Sequence, residues 1–99
     1  MKLSRFAEEF NLEVVQEQYE DCDIQDGYTS DLLSDVMANA PADSVLVTIQ
    51  AHKNTIAVAG LAGIRAVVIC NNRKIEPDMI EAAKEEEIAV FRTTQNQFQ

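Results

Sequence analysis

A chain of 99 residues, 46% of them apolar, is long enough for one modest core and too apolar to be disordered. Its formal charge of −9 excludes a nucleic-acid binder, which needs a basic surface, and disfavours docking on an anionic membrane. Cys22 and Cys70 stand far apart with no C-x-x-C spacing, so a disulfide scaffold or zinc knuckle is excluded and free thiols in the cytoplasm are expected.

Met1 to Phe10 lacks the apolar stretch of a signal peptide. The longest apolar run, Ile56 to Ile64, is about half of the roughly 20 residues that span a bilayer.

Leu3, Phe6, Ala7 and Phe10 fall at i, i+3, i+4 and i+7, which predicts a short amphipathic helix with Ser4 as its cap. Leu12 to Val15 reads as a brief strand and Gln16 to Gln25 as an acidic, polar loop carrying Cys22. A second short strand follows between Ile24 and Tyr28. Ser30 is a good N-cap for the next helix, and Asp31 suits the positive end of its dipole. Leu32, Leu33, Val36, Met37 and Ala40 form the apolar face of that helix; Asp31, Ser34, Asp35 and Asn39 form the polar one. Pro41-Ala42-Asp43 ends it.

Two β-branched runs, Val45 to Ile49 and Ala66 to Ile69, flank a segment that Asn54 is placed to cap and Gly63 to end. Strand, helix, strand at this spacing is a parallel βαβ unit with a right-handed crossover. Its helix is apolar nearly all round, which predicts cover on more than one side. In so small a domain part of that cover is expected from a second subunit, with Ile56, Ala59, Gly60 and Gly63 at a homodimer interface. Beyond the Asn71-Asn72 turn, Pro77 starts a helix that turns Met79, Ile80, Ala82 and Ala83 inward. Ile88 to Phe91 is the last strand, and Thr93 to Gln99 is a polar tail. The expected fold class is α/β: a single domain, residues 1–99, with a mainly parallel sheet flanked by helices.

The turn Gln50-Ala51-His52-Lys53-Asn54 is the best candidate site. It joins a strand end, where open α/β sheets bind ligands, to a helix N-terminus whose free N–H groups suit a phosphate or carboxylate. On the plainer reading Asn54 only caps, and His52 and Lys53 are solvated. Asp31, Ser34 and Asp35 are either a ribose- or metal-binding face or an ordinary solvent face. Thr48 points into a pocket or fills a strand position. Cys70 reads as a small buried hydrophobe. Neither a phosphate-binding loop nor a G-x-G-x-x-G, H-E-x-x-H or G-x-S-x-G string is present.

Tyr28-Thr29-Ser30-Asp31-Leu32-Leu33-Ser34-Asp35-Val36-Met37-Ala38, then Val47-Thr48-Ile49-Gln50-Ala51-His52-Lys53-Asn54, then the apolar Ile56 to Leu61, resemble a DRTGG domain over nearly the whole chain. Such domains are similar to the N-terminal domain of bacterial HPr kinase/phosphorylase, whose fold is similar to the nucleotide-binding N-terminal domain of Mur ligases. They also occur in some phosphate acetyltransferases and between the CBS domains of some inorganic pyrophosphatases. The resemblance implies a regulatory module, not an enzyme, that binds a small ligand such as a nucleotide and forms a homodimer. It implies Tyr28, Ser30, Asp31, Ser34, Thr48, Gln50, His52 and Asn54 as ligand-binding candidates, with no cofactor, no metal and no catalytic residue. The kinase chemistry of that family belongs to a separate domain with a phosphate-binding loop, which this sequence lacks; the literal Asp-Arg-Thr-Gly-Gly string is absent too. The alternative is a pure interaction domain that serves a multi-subunit enzyme and takes no small ligand.

Overall fold

Alternation along the strands decides the architecture. In the computed structural model, which describes residues 2–17, 19, 23–24, 26–29, 33–71 and 73–94, the elements run α1 (Leu3–Glu9), β1 (Glu13–Gln16), β2 (Asp26–Thr29), α2 (Leu33–Asn39), β3 (Ser44–Thr48), α3 (Lys53–Ala62), β4 (Ala66–Ile69), α4 (Pro77–Glu86) and β5 (Ala89–Arg92). The side chains of Asp26, Leu33 and Ser34 lie outside that description, as do Ser30, Asp31, Leu32 and Cys22. The order of elements is the one the sequence predicts.

The strands form one sheet in the order β1-β5-β4-β3-β2. β2, β3, β4 and β5 are parallel neighbours, and β1 joins β5 antiparallel at the far edge with a register shift between Val14 and Gln16. Because β2 to β5 advance one place at a time, right-handed crossovers carry all their helices to one face. The packing agrees. Val36 of α2, Ile56 and Ala59 of α3, and Met79 and Ala83 of α4 share one core with Leu46, Val67, Ile69 and Val90 of the sheet. The alternate strand residues Val45, Ala66, Val68, Ala89 and Phe91 point the other way, onto Leu3 and Ala7 of α1. Among the described residues, one face thus carries three helices and the other the seven-residue α1.

Local chemistry explains the ends of the elements and several departures from expectation. α1 starts after Lys2 with no side-chain cap; Ser4 sits two residues past the cap position, inside the helix, with the Phe6 N–H already bonded to the Lys2 carbonyl at 3.0 Å. Gln16 is not in a loop. It ends β1, buried, and its Nε2 donates to the Ile88 carbonyl at 2.8 Å. That bond ties the antiparallel edge strand to the residue that leads into β5. α3 begins at Lys53 with His52 as N-cap, so Asn54 lies inside the helix and caps nothing. The reason is Thr55, whose N–H reaches the His52 carbonyl at 3.0 Å and starts the helical pattern early. Gly63 ends α3 in the left-handed region at φ 77°, and a Cβ there would meet the Ala42 methyl at 3.2 Å.

The expectation that α3 is covered on more than one side holds along its flanks, where it packs between α2 and α4. Its outer surface is open: Ala57 and Gly60 are exposed, and Leu61 is 76% exposed. Ile56 and Ala59 are wholly buried inside the protomer, so they are core residues and cannot line a dimer interface. No helix among the described residues is long and apolar enough to cross a membrane.

Candidate functional site

Four parallel strands end at one edge, at Thr29, Thr48, Ile69 and Arg92. The connection 49–52 leaves this edge for α3, and the connection 70–76 leaves it for α4. The first is rigid. Thr48 is fully buried, and its Oγ1 accepts from the Gln50 N–H at 3.2 Å while its carbonyl accepts from the Cys70 N–H at 3.0 Å. The Thr55 hydroxyl, also buried, donates to the Gln50 carbonyl at 2.7 Å. Ala51 is buried beneath the turn. Thr48 therefore braces the loop from inside and does not open onto a pocket.

His52 and Asn54 are exposed on top, and Gln50 is half-buried. His52 Nδ1 stands 3.7 Å from Glu76 Oε1. Each of these two residues is the N-cap of its helix, so the pair spans the starts of α3 and α4. Glu76 is thus a neighbour of the candidate turn that sequence spacing alone did not suggest, and Arg73 and Lys74 precede it on the same connection. The signal for them was present: in a parallel sheet every strand-to-helix connection emerges at the same edge.

Tyr28 approaches from β2, in register with Leu46. Its ring packs on the helix-side core, and its hydroxyl donates to Asp35 Oδ2 at 2.7 Å. Asp35 Oδ1 accepts from Asn39 Nδ2 at 2.8 Å. The polar face of α2 is therefore partly committed to its own structure. Thr29 is paired with Val47, so the chain leaves β2 beside the Gln50 turn; the candidates Ser30 and Asp31 and the Ser34 side chain lie outside the described residues.

The strand order also limits the shape of the site. Ligand crevices in open α/β sheets form where the strand order reverses and adjacent connections part to opposite faces. β2 to β5 never reverse, and α2, α3 and α4 lie on one face. The edge is a row of adjoining connections rather than such a crevice. Among the described residues, no three His, Cys, Asp or Glu side chains converge as metal ligands.

No protein-family model matches the chain, and no curated protein matches its sequence. Its architecture does match a solved structure: the CBS and DRTGG domains of the regulatory region of Clostridium perfringens pyrophosphatase, crystallised with the activator diadenosine tetraphosphate. The TM-score is 0.76 over 97% of this chain, at 12% sequence identity. The fold is DRTGG-like. The chain spans 42% of that structure's length.

Within this DRTGG-like fold the Tyr28–Asp35 bond has a pH signature. The Tyr28 phenol is raised above its ordinary 10.0, first because its proton is held by Asp35, then through partial desolvation and the Asp35 charge. A phenol raised on folding stabilises the fold fully below its unfolded value; that contribution is lost as pH climbs through the folded value. Asp35→Asn should therefore lower the apparent ionisation of Tyr28 in an ultraviolet pH titration. A tyrosinate curve unmoved by Asp35→Asn would contradict the assignment.

Proposed function

We propose that this chain is a non-catalytic regulatory module, one DRTGG-like domain over residues 1–99, that binds a nucleotide-class ligand and self-associates. The observation that carries the proposal is the DRTGG-like fold, shared with an enzyme's regulatory region that takes diadenosine tetraphosphate as activator. The ligand's place is the edge where the Gln50 to Lys53 turn and the Glu76 end of α4 adjoin, beside the Thr29 end of β2, with His52 and Gln50 as its accessible polar groups. The partner it regulates is a larger enzyme in the cytoplasm. The proposed similarity to the N-terminal domain of HPr kinase/phosphorylase carries no kinase activity with it.

A thermal-shift series with diadenosine tetraphosphate, ATP, AMP and adenosine tests the reading. A specific ligand at about 100 times its Kd adds about 2.7 kcal/mol of apparent stability. Absence of any shift across the series overturns the ligand half of the proposal. Transfer of phosphate from ATP to HPr, above a blank without the protein, overturns the non-catalytic half.

A second reading, a pure interaction domain, is favoured by one observation. Leu61 on α3 is 76% exposed and Met37 on the neighbouring α2 is 46% exposed, and apolar surface of this kind is common at interfaces. Self-association with no ligand response would favour it.

A further inference from the structure

We propose that Lys53, Arg73 and Lys74 form the contact surface for the oligophosphate part of the ligand. The inference rests on the ligand-binding reading above and deepens it. The argument is one of charge placement. Three cations are ion-paired: Arg65 with Asp43 at 2.9 Å, Lys84 with Glu81 at 3.7 Å, and Arg92 with Glu13 at 2.7 Å. Lys2 and Arg5 belong to the α1 end of the chain. The remaining three, Lys53, Arg73 and Lys74, are exposed and have no ion pair among the described residues.

All three sit on the two adjoining connections that the His52–Glu76 contact bridges, Lys53 opening α3 and Arg73 and Lys74 leading into α4. In a chain of formal charge −9, three of the five cations without an ion pair among the described residues lie on the connections at the edge where the parallel strands end; the other two, Lys2 and Arg5, lie at α1. Glu76 and Asp78 are the acids beside them, with Glu76 Oε1 3.7 Å from His52 Nδ1. Cations on two separate loops suit an extended anion that touches both, and a chain of linked phosphates meets that need better than a single carboxylate. Buried Thr48 and Thr55 hold the first loop in place, so little ordering accompanies binding.

Titration calorimetry with tripolyphosphate and with ATP, on the whole chain, tests this. Both should bind, more weakly as salt rises. The Lys53→Gln/Arg73→Gln/Lys74→Gln variant should lose at least about tenfold in affinity for both, since contacts to charged groups carry this much each. Lys84→Gln, at a paired cation on the flank of α4, should bind as the parent does. Circular dichroism verifies that the triple variant is folded. Binding of ATP with unchanged affinity in the triple variant overturns the inference and leaves the regulatory reading standing. Binding of adenosine but not of ATP or tripolyphosphate does the same. Silence from every compound removes both.

Discussion

Phe91→Ala should lower the unfolding free energy by about 3–5 kcal/mol, the usual range for emptying a buried phenylalanine site. Phe91 is completely buried, and it is the largest side chain between the sheet and α1. Phe6 lies 6.4 Å from its ring centre at a tilt, and Tyr19 meets it edge-on at the same distance. Such aromatic pairs contribute beyond the area they bury. The opposite sheet face has α2, α3 and α4 to absorb a void, whereas this face has α1 and the partly buried Leu12, Tyr19 and Ile24. Urea unfolding followed by circular dichroism reads the change. A loss below about 1 kcal/mol would mean that α1 collapses onto the gap, and that its packing is looser than described.

Ile56→Ala should cost about 2–5 kcal/mol, independent of protein concentration. Ile56 is fully buried against the sheet within one protomer, so its truncation removes core and not interface. Leu61→Gln should behave the other way. Leu61 is on the outer surface of the same helix, and its replacement should leave the unfolding midpoint of a dilute sample within about 0.5 kcal/mol of the parent. Gel filtration with light scattering separates the two roles. A parent at twice 11.0 kDa that Leu61→Gln converts to a monomer assigns the outer face of α3 as the contact. A dimer unmoved by Leu61→Gln places the contact elsewhere. A concentration-dependent midpoint for Ile56→Ala alone would contradict its core position.

Periodicity carried most of the fold. Val45 to Ile49 and Ala66 to Ile69 announce central strands because β-branched runs of that length have few other uses, and the structure places β3 and β4 there within a residue. Pro77 and Gly63 marked ends correctly because each acts through its own backbone. Caps that depend on a side chain were less legible. Asn54 and Ser4 have the right chemistry, but the helices start where Thr55 and Phe6 find carbonyl partners. Gln16 looked like loop material because its amide partner, Ile88, is 72 positions away. The apolar α3 was read as an interface helix because composition does not tell an inward Ile56 from an outward Leu61; only the direction of the sheet does. At the candidate site, His52 was legible from its turn, whereas Glu76 required the sheet order to bring it near.

The lopsided sheet has a consequence for the order of folding. From β2 to β5 each strand pairs with the next one in sequence over a single crossover, so these contacts span less chain than the β1–β5 pair and close at lower entropic cost. Among the described strands β1 alone must find a partner across the chain: Arg92 Nη2 donates to both carboxylate oxygens of Glu13, 79 positions apart. Closing so large a loop is entropically unfavourable until β5 already stands in place. α1 and β1 should then act as a latch on a preformed spool, docking last and exchanging their amide hydrogens first in native-state hydrogen exchange.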